Sequence, residues 1–301
     1  MRHAQIQQEF LKYAKTYRLH RAIGSTAMHV FPFGLGGQAL LETEEKEAEV
    51  ISLVRKALDL GVNYFDTAPM YGPSRYYLGK ALGVDREYVI LASKVYERSY
   101  TGAKKELDES FDLLKTDFIN LVQLHGMEKE SDKRALQKNG SLQLLLDAQR
   151  AGKIEYIGVT GHHNSRILID CLDAYDFDTV LLPINPATPE FDSVLDICIA
   201  RHIGIIGMKV MSRGILPLHI PYEKILANAY DKCDVAIIGC SSNRDVERNV
   251  AATMNHFKVD ISDMSMSDEV RQEAAFFSEH SNARWPKTYQ PNLPTIDFED
   301  E

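Results

Sequence analysis

Gly61-Val62-Asn63-Tyr64-Phe65-Asp66-Thr67-Ala68-Pro69-Met70-Tyr71-Gly72 carries the pattern that decides the architecture. A short apolar run ends on an aspartate, and a tyrosine follows in a loop punctuated by proline and glycine. The same arrangement returns twice. Val89-Ile90-Leu91-Ala92-Ser93-Lys94 ends on a lysine, and Phe118-Ile119-Asn120-Leu121-Val122-Gln123-Leu124-His125 ends on a histidine. Apolar, β-branched runs bounded by turn residues read as buried strands. Three successive strand ends therefore each deliver a proton-handling side chain, which packing alone does not require.

Working outward, strands are predicted near residues 30–36, 62–66, 88–94, 118–124, 154–160, 178–184, 203–209 and 234–239. Helical stretches fall between them at 43–60, 75–82, 102–115, 141–151, 164–174, 190–201 and 222–231, with 243–255 after the last strand. In the first helix Val50, Ile51, Val54, Ala57 and Leu58 form a stripe of helical period; Thr43 reads as its cap and Gly61 as its stop. Strands alternating with helices imply a parallel sheet covered by helices, an α/β fold. Eight is the number that closes a (β/α)8 TIM barrel. An open doubly wound sheet is the competing reading, but Gly34-Leu35-Gly36-Gly37 continues as Gln38-Ala39-Leu40, so the dinucleotide fingerprint of that fold is missing.

Three regions follow. Residues 1–20 form an N-terminal extension in which Gln5 to Arg18, with Phe10, Leu11 and Tyr13, is expected to be helical. Residues 21–256 form the barrel, entered through a small hairpin from Arg21 to Met28 with Gly24 at its middle. Residues 257–301 are a C-terminal extension with a helix expected from Ser267 to His280 and a disordered acidic end.

The composition of the 301 residues, 45% hydrophobic and 26% charged, is that of a globular protein with ample core. A formal net charge of -9 argues against nucleic acid and anionic membrane surfaces as partners. No apolar stretch approaches a membrane span, and Met1 to Lys15 lacks the apolar centre of a signal peptide, so a cytoplasmic location is expected. Cys171, Cys198, Cys233 and Cys240 are scattered and read as buried thiols, with no disulfide framework and no metal site.

Loops at the carboxyl ends of barrel strands converge, so Asp66, Tyr71, Lys94 and His125 can meet there. Such a set suits reduction of a carbonyl, which needs a hydride and a proton for the oxygen. Tyr71 can supply the proton, though an ordinary phenol near a pKa of about 10 is a reluctant acid. The Lys94 ammonium would favour its phenolate, Asp66 would hold Lys94 charged, and His125 would polarise the carbonyl.

On these residues, with Gly34-Leu35-Gly36-Gly37, Phe65-Asp66-Thr67-Ala68, Tyr71-Gly72, Ser93-Lys94 and Leu124-His125-Gly126, the chain resembles the aldo-keto reductases over residues 21–256. The resemblance implies a (β/α)8 barrel, a nicotinamide cofactor bound extended, Tyr71 as general acid and His125 orienting the substrate. It assigns Gly36, Gly37 and Asp66 to the cofactor site. Gly158-Val159-Thr160-Gly161-His162-His163 corresponds to the segment that binds the carboxamide. Thr160 replaces a serine there, Gly161 offers no side chain, and His162 or His163 would supply the missing contact. Leu181 stands where the family has a glutamine. Met208 would pack on the nicotinamide, or lie in the barrel core, and Lys209 would approach the pyrophosphate.

Ile237-Ile238-Gly239-Cys240-Ser241-Ser242-Asn243, then Arg244, Asp245, Arg248 and Asn249, resembles the phosphate and adenine segment. Gly239, Ser241, Ser242 and Asn249 would contact the cofactor at a helix amino end, although the serines equally suit capping. Arg244 and Arg248 favour NADP(H) and Asp245 favours NAD(H), with NADP(H) preferred. The expected activity is NAD(P)H-dependent interconversion of an aldehyde or ketone with an alcohol. A Schiff-base lyase or isomerase using Lys94 and a nucleotide-binding redox sensor are the alternatives. The partner is a small carbonyl or alcohol, and a homo-oligomer is open.

Overall fold

The alternating pattern closes on itself in the computed structural model, which describes residues 19–256 and 266–279. A hairpin of β1 (Arg21–Ala22) and β2 (His29–Val30) comes first. Then follow β3 (Phe33–Leu35), β4 (Tyr64–Asp66), β5 (Ile90–Val95), β6 (Ile119–Leu124), β7 (Ile154–Thr160), β8 (Thr179–Pro183), β9 (Gly204–Met208) and β10 (Val235–Ile238). All are parallel, and β10 pairs with both β9 and β3 to complete the cylinder. The helices are α1 (Glu47–Asp59), α2 (Ser74–Leu82), α3 (Tyr100–Leu114), α4 (Ser141–Arg150), α5 (Ser165–Ala174), α6 (Asp192–Arg201), α7 (Tyr222–Lys232) and α8 (Asn243–Asn255), with α9 (Asp268–Glu279) beyond the barrel.

Barrel strands are covered on both faces, which is why they read as nearly unbroken apolar runs rather than alternating ones. Their outward residues pack with the helices in one large core. Inward residues, among them Tyr64, Ile90, Ala92, Leu121, Leu181, Ile206, Met208 and Val235, fill the bore. Ile23, Met28 and Val30 of the hairpin join that inner cluster. Gly24 makes this possible: its φ is +52°, and a Cβ there would lie 2.3 Å from the Gly204 nitrogen at the start of β9. The hairpin thus plugs the end of the barrel where the strands begin.

In α1, Val50, Leu53, Val54 and Ala57 are buried at helical spacing. The helix does not start where Thr43 suggested. The Thr43 hydroxyl donates to the Ala39 carbonyl at 3.0 Å, closing a short turn over Ala39–Glu42, and α1 begins only at Glu47 without a side-chain cap. Glu47 and Glu49 in its first turn complement the helix dipole instead. Gly61 ends this unit as expected, with φ +86°. The hairpin runs to Val30, slightly beyond the predicted Met28.

α9 packs across the loops after β8 and β9. Ser278 shares a 2.8 Å hydroxyl contact with Ser212, and Asn185 donates to Ser278 at 3.0 Å. The helix expected at Gln5 to Arg18 and the acidic end both lie outside the described residues. All four cysteines are buried and unbridged. Among the described residues, no helix is long and apolar enough to cross a membrane.

One close approach gives a prediction with an informative sign. Gly79 lies inside α2, where alanine would ordinarily gain about 1 kcal/mol of helix propensity. A Cβ there would meet the Leu113 carbonyl oxygen of α3 at 2.3 Å. Gly79→Ala is therefore expected to destabilise the protein by about 1–3 kcal/mol in urea unfolding. A gain in stability would show that the two helices are free to separate.

Candidate active site

The twofold side-chain period of a strand explains how three distant sequence segments converge. Tyr64 faces the bore, so Asp66 does too; Ala92 and then Lys94 follow on β5, and Leu121 leads through Gln123 to His125 after β6. Adjacent strands hold these levels together, with Thr67 N–H donating to Ala92 O and His125 N–H to Val95 O, each at 2.9 Å. Tyr71 enters from the loop after β4, whose turn is fixed by Gly72 at φ +43° against the Glu42 carbonyl.

The four side chains gather at the mouth. Lys94 Nζ lies 2.5 Å from Asp66 Oδ1 and 3.0 Å from the Thr67 carbonyl, with lysine and aspartate each only 1% exposed. The same ammonium sits 4.9 Å from the centre of the Tyr71 ring. His125 meets Tyr71 edge-on at 5.9 Å between ring centres and Tyr96 at 6.1 Å.

Loss of water dominates the electrostatics. It pulls the Lys94 ammonium down and pushes the Asp66 carboxyl up, each change partly offset by the other partner. Burial, Lys94, and His162 hold His125 well below its usual range, so it is a neutral imidazole near pH 7. Its Nδ1 is buried without a protein partner. Tyr71 departs from the expectation of an acidified phenol. Burial, then Asp66 and Glu42, raise it well above 10.0, and Arg213 opposes them. Withdrawal from water is the leading cause, and the Lys94 charge that was to favour the phenolate is paired with Asp66. The phenol is held in its proton-bearing form.

A cavity of about 240 Å³ runs from Asp66 and Tyr71 to the start of α8. Gly36, Gly37, Met208, Lys209, Gly239, Arg248 and Asn249 line it, as do Arg213, Tyr222 and Asp245. A Cβ on Gly36 would lie 3.1 Å from the Gly239 nitrogen, and one on Gly37 2.5 Å from the Asp66 carbonyl, so these glycines keep the floor open. Lys209 donates to the Gln38 side chain at 3.2 Å. The Arg248 guanidinium stacks 3.6 Å above the Tyr222 ring. A channel with cations along it and the Tyr71 phenol at one end suits an extended, anionic dinucleotide.

The remaining candidates divide. Ser241 N–H and the Ser242 hydroxyl both donate to Asp245 Oδ2, at 3.0 and 3.1 Å, and Ser242 caps α8. Their groups thus serve the helix end, and Asp245 rather than either serine or the exposed Arg244 faces the cavity. Thr160, Gly161 and His162 stand beside the tetrad, outside the cavity lining. The Thr160 hydroxyl accepts from Gly126 N–H at 2.7 Å. Gly161 lacks a side chain for a packing reason: a Cβ would collide with Leu168 at 2.8 Å. Leu181, in place of a glutamine, is part of the barrel filling.

Glu128 escaped the sequence reading. It accepts from His162 N–H at 2.5 Å, contacts His162 Nδ1 at 3.0 Å and accepts from His163 N–H at 3.2 Å. His162 is consequently buried and lies 6.0 Å from His125 between ring centres. Its only sequence signal was an acidic residue just beyond His125-Gly126-Met127. Tyr222 was equally silent as a cavity wall.

Lys209 yields a pH test. Burial and the nearby Arg213 bring its ammonium from 10.5 down to about 7, Glu42 opposing and Lys94 assisting. Between those values the unfolded chain carries a proton that the folded protein lacks, so stability rises with pH through this window. The penalty is complete below it. Lys209→Met removes the effect, and its stability relative to wild type, from urea titrations, should therefore fall as pH rises from about 7 towards 10.5. A constant difference would contradict the depressed ammonium.

Comparison with known proteins agrees with this geometry. The family model described as "Aldo/keto reductase family" matches residues 32–221. L-Galactose dehydrogenase of Arabidopsis thaliana is 26% identical over 330 aligned positions, covering 90% of this chain and 98% of that protein. 6-Dehydroglucose reductase of Novosphingobium aromaticivorans is 30% identical over 49% of this chain and 53% of its own length. A crystal structure from Pseudomonas aeruginosa, provisionally assigned as an aldo-keto reductase, superposes with a TM-score of 0.70 at 26% identity, covering 81% of this chain and 98% of that one. An aldo-keto reductase from Klebsiella pneumoniae in complex with NADPH shares the fold at a TM-score of 0.65 and 20% identity, covering 91% and 98%. The chain belongs to the aldo/keto reductase family and is an oxidoreductase of that type.

Proposed function

We propose that this enzyme interconverts a carbonyl and an alcohol on a small polyhydroxylated substrate of hexose size, using NADP(H) in preference to NAD(H). The observation that carries the chemistry is the position of Lys94, bound to Asp66 while facing the Tyr71 ring at 4.9 Å. Support for the substrate class comes from relatives named for L-galactose and 6-dehydroglucose. The preference for NADP(H) draws on the cationic Lys209 and Arg248 in the cavity, and on the Klebsiella relative holding NADPH. Asp245 in the same wall weighs towards NAD(H).

When bound, the nicotinamide supplies or accepts the hydride. The protein's task is the proton and the alignment. Tyr71, kept protonated, donates O–H to the substrate oxygen; an alkoxide is more basic than even a buried phenolate, so the transfer runs downhill. Lys94 then steadies the phenolate, and Asp66 with the Thr67 carbonyl keeps the ammonium pointed there. His125, neutral, donates one ring N–H to the same oxygen and sets its direction. His162, tethered by Glu128, stands in for the contact that Gly161 cannot make to the carboxamide. Gly36, Gly37, Met208, Lys209, Gly239, Arg248 and Asn249 would hold the rest of the dinucleotide.

Two variants test these roles. Tyr71→Phe should lower kcat by about 10²–10⁴-fold with hexose-derived carbonyls, while NADPH still quenches protein fluorescence on binding. Undiminished turnover would remove Tyr71 as the acid. Glu128→Gln keeps the size but weakens the grip on His162, so KM for the cofactor should rise about tenfold, some 1.4 kcal/mol, with kcat nearly unchanged. A cofactor KM equal to wild type would take His162 out of the nicotinamide site.

A further inference from the structure

Two lysines approach the mouth of the barrel, and their surroundings differ in kind. Lys94 is fully buried, clasped by a carboxylate and a carbonyl. Lys209 is half-buried in the wall of the cavity, on the loop after β9, with φ +53°, a left-handed conformation uncommon for a non-glycine residue. Its Nζ donates to a neutral acceptor, Gln38 Oε1, at 3.2 Å. No carboxylate of the described residues forms an ion pair with it. Glu42 is the nearest acidic influence, but its oxygens accept from Ala39 N–H at 3.2 Å and Gln38 Nε2 at 3.3 Å. Arg213 and Lys94 add positive charge around it.

An ammonium among other cations, without a carboxylate to hold it, gives up its proton readily, and the resulting amine adds to carbonyls. The same cavity wall carries Arg213 and Arg248, which favour a ligand with a phosphate or carboxylate group. We propose that Lys209 is a covalent capture site for anionic aldehydes in the cofactor-free enzyme, and that a nicotinamide dinucleotide protects it by filling the same space. The amine nitrogen attacks the carbonyl carbon, a C–N bond forms, and the C=O π pair passes to oxygen. Both amine hydrogens then leave with that oxygen as one water, giving a C=N bond with no change in oxidation state. The depressed ammonium described above is in keeping with this chemistry. Capture stands independently of turnover, whereas protection rests on the cofactor placement proposed above.

The test uses the full chain without cofactor, exposed to pyridoxal 5′-phosphate at near-equimolar concentration, reduced with borohydride, digested and mapped by mass spectrometry. Lys209 should carry the main adduct. Unphosphorylated pyridoxal should label it several-fold less, and Lys209→Arg, which keeps the charge but forms no imine, should lose that adduct. Label confined to surface lysines or to Lys94 would overturn the proposal, and the wild-type map alone decides this if the variant does not fold. Prior addition of NADPH should suppress the Lys209 adduct at least tenfold. Capture that persists unchanged with saturating NADPH would refute the protection and the placement of the dinucleotide together, leaving the reactive lysine established.

Discussion

The ion pair between Asp66 and Lys94 is the constraint on which the mouth of this barrel is organised. Both groups lie at the carboxyl ends of neighbouring strands and are withdrawn almost completely from water. Two opposite charges in such a place must stay together, because either one alone would face the full cost of desolvation. That necessity fixes the lysine head beside the Tyr71 ring, where its charge adds to the effect of burial in keeping His125 uncharged. The tetrad is therefore not four separate placements but one electrostatic unit carried by three strands and a loop.

Much of this was legible in the sequence because strand periodicity is strict. Once Tyr64, Ala92 and Leu121 face inward, the residues two and four places on must do so as well, and the convergence of Asp66, Lys94 and His125 follows. The eight strands and the helices between them were readable for the same reason, since burial on both faces leaves an uninterrupted apolar signature. Local chemistry was less transparent. Thr43 had the composition of a helix cap, yet its hydroxyl found a nearer carbonyl within its own turn. The phenol of Tyr71 was expected to be acidified by its cationic neighbour, but that charge is already met by Asp66 and withdrawal from water prevails.

The cofactor side was the harder part to read, and the reasons are three-dimensional. Glu128 lies far from His162 along the chain and contacts it only because β6 and β7 are adjacent. The missing side chain at Gly161 looked like a lost function, whereas Leu168 occupies the space in which any substituent would lie. Ser241 and Ser242 matched a phosphate-binding pattern, but Asp245 gathers their donors at the start of α8. In each case the residue type was informative and its partner was not.

The hairpin beneath the barrel bears on where the site can be reached. Ile23, Met28 and Val30 are wedged among the bore residues, so among the described residues the end where the strands begin is filled with apolar side chains. The cavity beside Asp66 and Tyr71 lies at the other end, where the strands finish, so cofactor and substrate would share that side of the barrel.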